Sequence, residues 1–147
     1  MTVVILNSDN LERAINHFVA YGFDSFIVFA SNQVDIDVSY YKLNDIKITV
    51  LDSVDLEGDL DKLKKIRGSL KNRFFAVFST SICCFDVDRI VSSHMKSQKT
   101  VTLVEASKRL CAFLAEEELF DYLYRTENSE NGVFTVLGEN EEINAFN

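Results

Sequence analysis

The chain has 147 residues, with 23 Asp and Glu against 15 Lys and Arg, a net charge of −8 and a sequence pI of about 4.7. That balance argues against nucleic acid and anionic membrane as partners, because phosphate groups are held by clustered Lys and Arg. Apolar residues make up 47% of the chain, including twelve Phe, five Tyr and no Trp, so a real core is expected within a single domain over 1–147.

No apolar run approaches the ~20 residues that a membrane span needs. No basic stretch followed by an apolar one marks a signal peptide at the start. Three Cys, with Cys83 and Cys84 adjacent, make no disulfide framework, and the simplest assignment is a reducing, cytoplasmic setting.

In chain order, Thr2-Val3-Val4-Ile5-Leu6 is a β-rich run. Asn7-Ser8-Asp9-Asn10 follows with turn and cap chemistry. Residues 11–21 carry Leu11, Ile15, Phe18 and Val19 at helical spacing, and Gly22 is placed to stop that helix. Ser25-Phe26-Ile27-Val28-Phe29-Ala30 reads as a buried strand, Ser31-Asn32-Gln33 as a turn, and 34–41 as a short helix. Ile46-Lys47-Ile48-Thr49-Val50-Leu51 alternates like a strand with one wetter face, and 52–58 is a polar loop. Residues 60–70 form an amphipathic helix with Leu60, Leu63, Ile66 and Leu70 on one side.

The centre of the sequence is 74–104. Phe74-Phe75-Ala76-Val77-Phe78 suits a strand buried on both faces. Ser79-Thr80-Ser81 is polar. Asp86 opens a helix to about Ser97, and Thr100-Val101-Thr102-Leu103-Val104 is a further strand, so this stretch reads as a βαβ unit. Residues 109–125 are compatible with a helix by composition and with a hairpin by the alternation of Cys111-Phe113-Ala115 and Phe120-Tyr122-Tyr124. Gly132-Val133-Phe134-Thr135-Val136-Leu137 is a last strand, and the acidic tail 138–147 is expected to fray.

Four strands alternating with helices before residue 100 point to a doubly wound α/β sheet. In such sheets ligands bind just beyond the carboxyl ends of the strands. That rule gathers Ser8, Asp9, Asp52, Ser53, Ser79, Thr80 and Ser81 as candidate ligand-binding residues, with Asn7, Ser31, Asn32, Asp55 and Glu105 nearby.

Several segments then resemble sugar-phosphate nucleotidyltransferases, glucose-1-phosphate cytidylyltransferases in particular. They are Tyr21-Gly22-Phe23-Asp24-Ser25-Phe26-Ile27-Val28, Ile48-Thr49-Val50-Leu51-Asp52-Ser53 and Lys62-Leu63-Lys64-Lys65-Ile66. Phe75-Ala76-Val77-Phe78 joins them, as do Asp86-Val87-Asp88 with His94 and Lys99-Thr100-Val101-Thr102-Leu103-Val104, and Gly132-Val133-Phe134-Thr135-Val136. The likeness runs from Met1 to about Leu137. It implies a Rossmann-like three-layer α/β sandwich with a mostly parallel sheet, a nucleotide or sugar-phosphate ligand, and Mg²⁺ if the chain is active.

The departures from the family pattern bear on function. The family's first strand leads into a glycine-rich loop with Arg and Lys that cradles phosphates; here it leads through Asn7-Ser8-Asp9-Asn10 straight into a helix, with no cation before Arg13. The family's metal-binding aspartate falls on Ser79-Thr80 or Thr80-Ser81, and a hydroxyl is a poor substitute for a carboxylate on Mg²⁺. Asp86 or Asp88 nearby is a remote replacement, since Asp-Val-Asp is a helix start. The family's later lysine segment is not recognisable between Cys111 and Glu130.

Single residues read blandly. Cys83, Cys84 and Cys111 suit small buried hydrophobes. His17 and His94 suit the edge of the core. Lys62-Leu63-Lys64-Lys65-Ile66-Arg67 suits a solvated helix face, and Glu116-Glu117-Glu118 and 139–142 suit solvated charge. Asp52 and Asp55 suit turn chemistry.

The expectation is therefore a degenerate nucleotidyltransferase-like protein, probed first as non-catalytic, with no catalytic residue, no metal ligand and no resident cofactor. Its partners would be a nucleotide or sugar phosphate, a protein, or a second copy. The alternatives are an active transferase making a nucleotide sugar through Asp9, Asp52 or Asp86, and an oligomerising structural module.

Overall fold

The computed structural model describes residues 1–7, 10–30, 36–56, 58–78, 85–106, 109–121 and 143–146. Along the chain these form β1 (Thr2–Ile5), α1 (Leu11–Val19), β2 (Ser25–Ala30), α2 (Val38–Leu43), β3 (Lys47–Asp52), α3 (Gly58–Lys65), β4 (Phe74–Val77), α4 (Val87–Ser97), β5 (Val101–Ala106), β6 (Arg109–Ala115) and β7 (Ile143–Phe146).

The strands make one sheet in the order β3-β2-β1-β4-β6-β5-β7. The β1–β2, β1–β4, β2–β3 and β5–β7 pairs are parallel, and only β6 runs against its neighbours. β2 and β4 are continuous apolar runs because both faces of the sheet are covered.

The period of two sorts each strand's side chains between two cores. On one face Val3, Ile5, Phe26, Val28, Phe75, Val77 and Leu114 pack with Leu11, Ile15 and Phe18 of α1, Tyr41 of α2, and Val87 and Ile90 of α4. On the other, Val4, Ile27, Phe29, Phe74, Ala76 and Phe113 pack with Leu63 and Ile66 from the α3 side and with Leu119 and Phe120. Helices on both faces of a mostly parallel sheet make a three-layer, Rossmann-like α/β fold.

Local signals explain most boundaries. The amides of Gly22 and Phe23 bond the carbonyls of Val19 and Phe18 at 2.9 and 3.2 Å, Gly22 has φ +88°, and the Phe18 and Phe23 rings meet at 5.4 Å. This is a Schellman stop, whose left-handed position glycine takes without Cβ strain. The Asp37 side chain accepts the Tyr40 amide at 3.1 Å, so α2 starts at Val38, later than the apolar pattern predicts. Asp86 caps α4 by accepting the Arg89 amide at 3.2 Å.

Two expectations need correction, and one open alternative is settled. β4 and β5 are parallel but not adjacent, because β6 returns between them and pairs antiparallel with both. Of the ambiguous stretch 109–125, residues 109–115 are strand and 119–121 a helical turn. The tail does not simply fray: residues 143–146 form β7 alongside β5. The strand expected at 132–137 lies outside the described residues.

Candidate functional site

The chain moves from β1 outward to β2 and β3, then crosses back to lay β4 on the other side of β1. The β1/β4 boundary is thus the topological switch point, and the crevice beyond the carboxyl ends of those strands is the default ligand site of such sheets. Leu6 and Asn7 leave β1 there and Phe78 leaves β4; the Leu6 amide bonds the Val77 carbonyl at 3.0 Å, tying the two exits together.

Of the residues expected in this crevice, Asp52 and Ser53 are described; Ser8, Asp9, Ser79, Thr80 and Ser81 lie outside the described residues, as do Cys83 and Cys84. Asp52 ends β3, is exposed, and its Oδ1 accepts the Val54 amide at 2.9 Å, while the Ser53 amide bonds the Ala30 carbonyl at 3.1 Å. This is the turn chemistry expected of that aspartate. The connection from β1 to α1 is only residues 6–10, contains no glycine and no cation, and ends on Asn10 at φ +50°.

The crevice residue that sequence reasoning missed is Lys62. It belongs to the cluster read as a solvated helix face, but its side chain is only 17% exposed and its Nζ donates to the Leu6 carbonyl at 2.7 Å. Asp59, one turn earlier on α3, lies 3.8 Å from the same ammonium. Burial pushes the Asp59 carboxyl above its ordinary value, and the charge of Lys62 opposes that without cancelling it. A lysine three residues after an aspartate was the only signal in the sequence. The decisive partner, a carbonyl 56 residues away, leaves no local pattern.

A second polar cluster lies at the opposite, amino edge of β4 and β5. His94 is 2% exposed. Its Nε2 donates to Glu116 Oε1 at 2.9 Å, and Nδ1 is paired with the Thr102 hydroxyl at 2.8 Å. Arg73 donates to the same Glu116 oxygen through Nη2 at 2.6 Å and Nε at 2.7 Å. Burial raises the Glu116 carboxyl, but hydrogen bonds from His94 and Arg73, with the charge of Arg73, outweigh it and hold the group below its ordinary value. His94 is therefore buried and paired rather than at the core edge, and Glu116 is an ion-paired clasp rather than solvated charge. His17 Nε2 is bonded to the Phe85 carbonyl at 2.9 Å, and Cys111 is buried, as a small hydrophobe should be.

No protein-family model and no curated protein sequence matches the chain. Its structure matches 34 chains among solved structures. One is Rv0371c from Mycobacterium tuberculosis H37Rv, at TM-score 0.64 and 11% identity, covering 99% of this chain and 85% of that one. A manganese complex of Rv0371c matches at TM-score 0.63 and 12% identity, with the same coverage. A Desulfovibrio desulfuricans G20 protein described as a nucleotide-diphospho-sugar transferase matches at TM-score 0.59 and 6% identity, over 99% of this chain and 79% of that one. At such identities the likeness establishes the fold alone, a Rossmann-like α/β fold.

The manganese complex raises the question of a divalent cation here. The described residues do not fit one at the crevice. No group of three His, Cys, Asp or Glu comes together among them. Asp52 is engaged in its own turn and Asp59 faces an ammonium. Asp86 is spent as the α4 cap. Mg²⁺ and Mn²⁺ need several oxygen ligands, carboxylates foremost.

Among the described residues no helix is long and apolar enough to cross a membrane.

Proposed function

We propose that this chain is a non-catalytic protein on the nucleotide-diphospho-sugar transferase fold, whose crevice at the β1/β4 switch point binds a phosphorylated ligand of the nucleotide or sugar-phosphate class. One observation carries the reading. The sheet order and switch point are those of a nucleotide-binding scaffold, while the β1–α1 connection is five residues without glycine or cation. Nucleotidyl transfer is chiefly positioning and stabilisation of phosphoryl charge. A five-residue link has neither the backbone amides of a long phosphate loop nor its Arg and Lys.

Thermal unfolding with CTP, UTP, ATP, dTTP and sugar 1-phosphates, each with and without Mg²⁺, tests the reading. A saturable rise in melting temperature with one of them, by mass action, is the expected result. A well-folded sample that responds to none of these ligands overturns it.

A second reading, assembly with another copy of this chain, has its own observation. β3 is the terminal strand of the sheet, and the odd-numbered amides of Lys47 and Ser53 point inward to β2. The backbone groups of Ile48, Val50 and Asp52 therefore face outward. A two-fold axis through Val50 would pair 50 with 50 and 48 with 52 of the second copy, as an isologous interface requires. Val38, Tyr40, Leu43, Val50 and Val54 are exposed apolar residues gathered on α2, β3 and the loop after it, with Leu43 at 85%. Light scattering across a concentration series, with Val50→Lys as the comparison, tests this. A monomer at all concentrations removes it.

A further inference from the structure

The mismatch between the described residues of this crevice and a divalent cation has a counterpart in Lys62. Its ammonium sits at the switch point, between a strand-end carbonyl 2.7 Å away and the Asp59 carboxylate 3.8 Å away. These are oxygen donors of the kind a metal would take, and they hold a protein cation instead. The side chain reaches from α3 to the carbonyl that follows β1 and is only 17% exposed. The head group is held by the hydrogen bond at its tip and the neighbouring carboxylate.

An ammonium has three N–H donors, and the contacts among the described residues use at most two. A partly desolvated lysine is a point charge suited to phosphate. Asp52, Asp55, Asp59 and Glu105 also lie on the described carboxyl edge or beside it, and Arg109 opens β6 there.

We propose that Lys62 is the anion-binding residue of the crevice, and that it makes phosphate binding there independent of a divalent metal. The inference rests on the crevice reading above and names the group that contacts the phosphate. Asp59 is then a competing internal anion: it holds the ammonium in place when the crevice is empty and weakens its hold on a ligand.

Isothermal titration calorimetry with inorganic pyrophosphate and with CTP, in EDTA and then in Mg²⁺, tests this on the full chain. The wild type is expected to bind in EDTA with a Kd within about threefold of its value in Mg²⁺. Lys62→Met should weaken binding about tenfold or more, the loss of one charge-assisted hydrogen bond. Lys62→Arg should retain most of the affinity. Lys65→Met, the same charge change on the exposed side of α3, should change it less than about twofold, as a screened charge should.

Asp59→Asn provides an outcome that impaired folding cannot imitate: it should tighten binding roughly threefold or more by removing the competing charge. Equal affinity in wild type and Lys62→Met, or weaker binding in Asp59→Asn, overturns the role of Lys62 and leaves the crevice reading standing. Binding that needs Mg²⁺ overturns the metal independence. No binding by the wild type in either buffer removes the crevice reading itself.

Discussion

Replacing Glu116 by Ala should be among the most damaging single changes outside the apolar core. The carboxylate takes hydrogen bonds from His94 and Arg73, but the two partners differ in exposure. The His94 side chain is buried, so its orphaned Nε2–H finds no water and costs about 1–3 kcal/mol. The Arg73 side chain is 26% exposed, so solvent replaces most of that ion pair and the loss is about 0–1 kcal/mol. The sum is about 1–4 kcal/mol, or roughly 3–12 °C in melting temperature for a chain of this length. Gln at the same position keeps an acceptor for His94 and should cost about half as much at pH 7.

The pH dependence has a definite sign. Hydrogen bonding holds the Glu116 carboxyl lower in the folded chain than in the unfolded one. Its contribution is therefore complete above the unfolded value and is lost as pH falls through the folded one. Urea unfolding at pH 7, 5 and 4 should show the wild type losing stability faster than Glu116→Gln over the lower interval. An Ala variant within about 0.5 kcal/mol of wild type, or equal acid slopes for wild type and Gln, would refute the clasp.

Other perturbations probe the scaffold. Phe18 touches Phe23, Phe75 and Phe85 with ring centroids 5.4, 5.2 and 5.9 Å apart; Phe18→Ala should cost about 3–5 kcal/mol by chemical denaturation. Gly22→Ala should cost about 1 kcal/mol, purely from its φ of +88°, since nothing lies within 4 Å of an added Cβ; a neutral result would mean that the turn relaxes. Removing residues 143–147 strips the parallel partner from Val101–Val104 and leaves β5 as a bare edge. That variant should unfold at lower temperature and aggregate faster by light scattering.

What could be read from the sequence was what neighbouring residues decide. The double-sided apolar runs at 25–30 and 74–78, the glycine stop after α1 and the aspartate cap of α4 all have causes within a few residues. The features that escaped depend on distant partners. β6 was obscured because Glu116-Glu117-Glu118 favours helix by composition, whereas pairing with β4 and β5 on both sides decides for strand. β7 is four residues at the end of an acidic stretch, and only its register against Val101–Val104 makes it a strand.

Polar residues misled for the same reason. Lys62 shares a surface-like cluster with Lys64 and Lys65 but reaches a carbonyl at the end of β1. Glu116 opens a run of three glutamates but closes on Arg73 and His94, 43 and 22 residues away. The candidate site was legible as a place, the carboxyl edge at a switch point, because that follows from strand order. The place of Lys62 in it was not.

The central claim is that the fold has kept a phosphate-binding crevice without the transfer chemistry. The most direct measurement is pyrophosphate release from an NTP and a sugar 1-phosphate in Mg²⁺, run with the nucleotide at a concentration shown by calorimetry to saturate the crevice. The account predicts saturated binding with release no faster than in buffer alone. Release that depends on the protein, needs the metal and disappears on Asp52→Asn would contradict it and make the chain an enzyme.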